Sequence, residues 1–284
     1  MSIYEPRIDH RTLSAEDQEF LQRIERELAE ETAKNRASSG LEFVSSGSSV
    51  RARGSRAIRA HISQFPNNYL DPGDLGDKDK LRAQLKSFRE LLDAPTTGER
   101  AILNHIRDQR PLFVVACLLR QEYNTGHHDA FLFREFKLGS QWQADFLLIG
   151  RSSGGHDFVW VELESPKDEP PKKVVAGDGT FGAIIRDGIK QVHDWRRTIQ
   201  ASFPTIAQDL ERMSNKPLEQ DLRTLDLDRH HFVVVAGRRQ HFQIADGNSY
   251  DERRRLRRTE DVLVIHYDRL LDNAERWISA AHTY

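Results

Sequence analysis

The chain holds one cysteine in 284 residues, so no disulfide can form within it, as suits a protein kept in a reducing cytoplasm. That residue, Cys117, lies in the apolar run 112–119 and is expected to be a buried thiol. Long hydrophobic runs are also missing. The run 112–119 is the longest, far short of the roughly 20 residues that span a bilayer, and the Met1 end shows no apolar stretch of signal-peptide type. No excess of one charge exists either: 42 basic against 44 acidic residues leave a net charge of -2. A uniformly basic coat for nucleic acid is thereby excluded, and any DNA contact must come from local patches. The spacing of His193, His230 and His231 matches no zinc site.

What the chain does have is charge of both signs, 30% of all residues, with a mean hydropathy of -0.66, the mark of a heavily ionic surface. Its length suffices for one large domain or two smaller ones. The most informative stretch is 141–195. QWQADFLLIG and FVWVELESP have strand composition, and the Ser-Ser-Gly-Gly between them is turn chemistry, so an antiparallel hairpin is expected. A turn symmetric about Ser153 and Gly154 puts Asp145 opposite Glu162, and a period of two puts Glu164 on the same face as Glu162. Three carboxylates converging on one patch raise one another's pKa unless a cation intervenes. An oxygen-seeking divalent ion, Mg²⁺ or Mn²⁺, answers that need. A one-residue slip would instead turn the same acids to solvent as ordinary surface charge.

Upstream, residues 13–36 have the pattern of a polar helix capped by Ser14, serving as a packing arm, an oligomer contact or simply a helix packed on its own domain. Residues 37–50 are Ser/Gly-rich, a linker or loop with one short strand at 41–44. Arg51, Arg53, Arg56 and Arg59 form either a phosphate patch or a solvated face. A helix over 78–93 is broken at 94–98, and there the boundary falls between an N-terminal accessory region, 1–95, and a domain over 96–284. The next helix opens at Thr97 or Gly98 and carries Glu99, an acid that the helix dipole favours in any case. A buried helix at 112–120 and a strand at 131–138 follow, the latter extending the hairpin into a meander.

A helix over 181–200 has Ile185, Ile189, Val192, Trp195 and Ile199 on one face, with Gln191 off that stripe. Gly177, Gly179 and Gly182 spell a dinucleotide pattern. Polar flanks and the expected lack of a parallel βαβ unit argue for a mobile loop over the hairpin and against a nucleotide cofactor. Residues 204–229 read as a helix and a long connection, and 231–237 as an apolar strand buried on both faces with Arg238 and Arg239 at its end. Residues 251–259 hold the densest positive charge. Arg254, Arg255, Arg257 and Arg258 suit phosphate binding there, or an exposed helix balanced by Asp251, Glu252 and Glu260. A strand at 261–267 and a helix at 268–281 complete the chain.

The order Asp145, Glu162-Leu163-Glu164, Gln191 resembles the core of PD-(D/E)XK nucleases. With residues 98–113, 143–150, 158–166, 189–195, 233–238 and 266–271, it is similar more narrowly to the Shedu family of anti-phage defence nucleases. The resemblance covers about the last two thirds of the chain. It implies an α/β, restriction-endonuclease-like core of mixed sheet flanked by helices, DNA as substrate, a homo-oligomer and a bacterial cytoplasmic setting. It also implies a metal held by Asp145, Glu162 and the carbonyl of Leu163, with Gln191 and Glu99 beside it; the clustered charge of Arg238, Arg254, Arg255, Arg257 and Arg258, with Lys190, is expected to supply the phosphate contacts. One departure matters: the family pattern has Lys where this chain has Glu164. Glu164 then joins the metal shell or acts as base, or Lys167, Lys172, Lys173 or Lys190 reaches in. The alternative is a nuclease fold that cuts poorly and binds DNA or a protein partner.

Overall fold

The computed structural model describes residues 9–39, 46–243 and 248–280. Two compact units divide the chain: 1–74 with 209–218, and 75–208 with 219–284. In the first, α1 (Ala15–Ser39) packs with α2 (Ser46–Arg53) and α3 (Arg56–Ile62) around Ile24, Leu28, Val50 and Ile58. Ser14 Oγ accepts the Asp17 N–H at 3.1 Å, the capping bond the sequence suggested. Residues 41–44 lie outside the described residues. The Ser/Gly stretch that was expected as loop becomes helical from Ser46. The arginines after it meet acids: Arg53 pairs with Glu27, Arg56 with Asp74, and Arg59 with the buried Asp71 at 2.9 Å.

The second unit opens with α4 (Lys78–Asp93), whose Leu81, Leu85, Phe88 and Leu92 are buried at helical spacing. Phe88 meets the ring of Tyr267 at 6.4 Å, which ties α4 to this unit, so the compact units part between Asp74 and Leu75, some twenty residues before the Pro95 break. Next come α5 (Glu99–Gln109) and α6 (Phe113–Gln121), the latter apolar through most of its length and holding the buried Cys117. Three strands follow as an antiparallel meander: β1 (Asp129–Leu138), β2 (Trp142–Ser152) and β3 (Gly155–Leu163). The chain then forms α7 (Ala183–Met213), α8 (Gln220–Arg223), β4 (His230–Val235), α9 (Asn248–Thr259), β5 (Val262–Ile265) and α10 (Tyr267–Ala280).

The sheet order is β1-β2-β3-β4-β5, with β3, β4 and β5 parallel. Parallel neighbours need a crossover, and α7 and α9 supply it. The β3–α7–β4 unit corrects the expectation that no parallel unit is present. The glycines 177–182 are still no strand-to-helix turn, because they begin fourteen residues beyond Leu163. They form a loop closed by local backbone pairing. Val175 bridges Phe181, the Ala176 N–H donates to the Thr180 carbonyl at 2.8 Å, and Gly182 N–H donates to Val174 O at 2.8 Å. The buried Phe232, Val233, Val234 and Val235 of β4 and Val262, Val264 and Ile265 of β5 are joined in the core by Phe158 and Trp160 of β3 and by Trp195 and Ile199 of α7.

Candidate active site

The hairpin turns at Ser153–Gly154, with Ser152 paired to Gly155 and every further pair in register up to Phe146 opposite Val161. Gly155 has φ +114, and a Cβ there would stand 2.7 Å from Asp221 Oδ2, so the turn has room only for glycine. Continuing the register sets Asp145 opposite Glu162, as the sequence implied. Regular β2–β3 pairing ends there. Asp145 Oδ2 accepts the Leu163 N–H at 2.8 Å, taking the place of a ladder carbonyl.

Glu162 is 6% exposed, and one of its oxygens, Oε1, accepts a hydrogen bond from Gln191 Nε2 at 2.6 Å. Its other oxygen, Oε2, is buried with no hydrogen-bond partner among the described residues. Glu164 leans against the same helix three residues earlier. A Cβ on Gly188 would lie 3.0 Å from Glu164 Cγ and 2.8 Å from Val234 Cγ1, so only glycine at this position lets α7 approach the strand and seat that carboxylate. Glu162 and Glu164 therefore share the α7 face, and the solvent-facing slip does not occur. Beneath them the wholly buried Tyr267 donates its hydroxyl to the Glu164 carbonyl at 2.7 Å.

These acids are uncomfortable when ionised. Burial pushes Asp145 up to about 7 despite the Leu163 N–H, with Glu99 and Glu135 adding repulsion. Burial likewise raises Glu162 well above the usual carboxylate range, and Asp145 and Glu164 add to it. Glu164 rises to about 8 through burial, then Glu99 and Asp187, while Lys172 opposes. Glu99, first residue of α5, is raised by desolvation and by Glu169. Lys172 is bound to Asp187 at 2.8 Å, and Lys167 reaches the Pro95 carbonyl. Glu135, Glu169, Gly188 and Tyr267 were assigned no role from sequence. Tyr267 belongs to the 266–271 segment that carried the resemblance, which was the available signal.

A divalent cation fits this donor set. Asp145 and Glu162 present hard oxygens, and Glu162 Oε2 is desolvated with no partner among the described residues, so a charge there costs several kcal/mol unless a cation or proton meets it. Leu163, expected to offer its carbonyl, touches Asp145 through its N–H. Among the described residues, the group of ligand-type side chains with all donor atoms within 4.8 Å is a different one, His156, Glu219 and Asp221 at the turn end of β3. Its acids already have partners: Asp221 Oδ2 accepts the His156 backbone N–H at 2.8 Å and lies 2.9 Å from its Nδ1, and Glu219 pairs with Arg151 at 3.1 Å.

The expected phosphate ligands are placed unequally. Arg238 is clamped by Asp268 at 2.8 Å, Asp93 at 2.7 Å and the Leu92 carbonyl at 2.8 Å, which makes it a strut between α4 and α10. Arg257 lies over the Tyr123 ring and pairs with Asp261, and Arg255 pairs with Glu260. Arg254 and Arg258, one turn apart on α9, and Lys190 on α7 are exposed. No hydrogen bond or ion pair engages these three among the described residues. His193 pairs with Glu260 at 2.9 Å, His231 with Asp261, and His230 takes the Trp160 indole N–H at 3.1 Å.

Fold and site together define an α/β protein that buries a set of carboxylates at one end of a five-stranded mixed sheet. The chain belongs to the Shedu family: residues 96–271, well over half of it, match the family described as Shedu protein SduA, C-terminal. Membership implies a part in anti-phage defence. No curated protein matches the chain. Among the described residues no helix is long and apolar enough to cross a membrane.

Proposed function

We propose that this protein is a metal-dependent DNA endonuclease of restriction-endonuclease-like core, acting in bacterial anti-phage defence from the cytoplasm. The observation that carries this reading is the buried, partnerless Oε2 of Glu162 beside Asp145, inside a family associated with defence. Mg²⁺ or Mn²⁺ held by Asp145 and Glu162 would polarise a phosphate and make a bound water acidic. Gln191 fixes Glu162 in the orientation that leaves Oε2 free. Glu164, seated against α7 on the same strand face as Glu162, is placed to take the proton of a water whose oxygen bonds to phosphorus as the leaving P–O bond breaks. This gives the Glu that replaces the family's usual Lys a working role. Arg254, Arg258 and Lys190 are the open cations available to steer the DNA backbone.

The test is cleavage of plasmid and linear DNA by the full chain with Mg²⁺, Mn²⁺ or EDTA, beside Glu162→Ala and Glu164→Lys. Cutting that needs metal and disappears in Glu162→Ala is expected. Loss of cutting in Glu164→Lys would support the base role, and retained cutting would remove it. A wild type that binds DNA and cuts under no metal would instead mark a binding module.

A further inference from the structure

The helix α7 that supplies Gln191 does not run straight. Pro204 has no N–H to give and its ring crowds the carbonyl four residues back, and at Ser202 the backbone leaves helical geometry (φ -135, ψ 23). The end of the β1–β2 hairpin stands beside this bend, and between them opens a groove of about 490 Å³ lined by Leu138, Trp142, Asp194, Arg197, Thr198 and Ser202. That volume lies within the range of about 300–1,000 Å³ usual for small-ligand sites.

Two features connect the groove to the acid centre. Trp142 precedes Asp145 by three residues on β2, about 10 Å of strand. Asp194 and Arg197 follow Gln191 by one and two turns on α7, about 5 and 9 Å of helix. The same strand and the same helix thus line both. The lining also selects among the parts of a nucleic acid. Arg197 pairs with Asp194, so the groove is close to neutral and offers a phosphate little. It offers instead Trp142, half-buried and stacked on no other ring among the described residues, beside Ser202, the mostly exposed guanidinium of Arg197, and Thr198, whose hydroxyl donates to the Asp194 carbonyl at 3.0 Å. A flat apolar face ringed by donors and acceptors is what an unpaired base requires.

We infer that this groove is a nucleobase subsite, in which an unpaired base next to the scissile phosphate stacks on Trp142 and is edged by Arg197. The inference rests on the nuclease reading and adds to it a preference for DNA whose strands are parted at the cut.

The experiment follows a single-stranded oligonucleotide carrying 2-aminopurine, bound to the full chain in EDTA, with total binding read separately by anisotropy of an end label. Wild type is expected to quench the 2-aminopurine. Trp142→Ala should lose the quench and bind the single strand roughly tenfold more weakly, in line with base–aromatic stacking. It should hold a duplex within about twofold, and Trp142→Phe should keep most of the quench. Cleavage by Trp142→Ala with unchanged single-strand binding, or equal weakening toward single strand and duplex, overturns the subsite and leaves the nuclease reading standing. A wild type that neither binds nor cuts any DNA overturns both.

Discussion

Replacing Glu162 by Gln should make the cation-free protein more stable while removing its capacity for metal. Gln keeps the shape and can still accept the Gln191 amide that now lies 2.6 Å from Oε1. It removes a buried charge that has no partner at Oε2. The neighbouring Asp145 shows the same strain, lifted from 3.8 to about 7. At about 1.36 kcal/mol per pH unit that is about 4 kcal/mol for one member of the set. The sign is unusual for a carboxylate. Between these two values the folded state holds a proton that the unfolded state has released, so stability falls as pH rises and the full penalty is felt above about 7. Thermal unfolding in EDTA should therefore show wild type losing stability from pH 5 to pH 8. Glu162→Gln should gain on the order of 1–3 kcal/mol over it at pH 8, the usual cost of an unsatisfied buried polar atom, and a few degrees or more in Tm. Mn²⁺ should restore wild type at pH 8 and leave the variant unmoved. A variant no more stable than wild type at pH 8, or a wild type indifferent to pH across this range, would refute the claim that the acids are held in mutual strain.

Gly188→Ala should cost about 1–3 kcal/mol of stability and lower metal affinity together, since the new methyl meets Glu164 and Val234; calorimetric Mn²⁺ titration beside a melting curve checks both. Arg254→Ala and Arg258→Ala should each weaken DNA binding at low salt and reduce the slope of log K against log salt by about one, with the fold unchanged. Arg238→Ala should instead destabilise the protein, because it takes the guanidinium from the Leu92 carbonyl and leaves Asp268 with the Arg239 N–H as its remaining hydrogen bond; a lowered melting temperature is the readout. For His231, burial alone would lower the pKa, but hydrogen bonds to Asp157 and Asp261 outweigh it and raise it above 6.5. Its contribution is present below about 6.5 and is lost as pH rises through the higher folded value. An NMR titration giving His231 a pKa at or below 6.5 would contradict this.

Local chemistry made much of the site legible. The Ser-Gly turn fixed the register that sets Asp145 against Glu162, and period two placed Glu164 beside it. Helix signals found α4 and the start of α5 at Glu99. What escaped depends on contacts far apart in sequence. Arg238 resembled an open phosphate ligand until Asp268, thirty residues on, engaged it, and nothing near Arg238 announces that partner. The parallel pairing of β3 with β4 joins strands more than sixty residues apart, so the glycines before α7 were judged without it. Tyr267 and Gly188 carry no chemical signature of their own. Their importance comes from lying under and against Glu164.

The most direct test of the central claim is to follow Mn²⁺ occupancy by electron paramagnetic resonance and phosphodiester cleavage in the same samples, for wild type and Glu162→Gln. Cleavage by wild type is predicted to rise with occupancy, and both are predicted to vanish in the variant. Cleavage that persists in Glu162→Gln, or Mn²⁺ that binds it as tightly as wild type, would contradict a catalytic metal centre at Asp145 and Glu162.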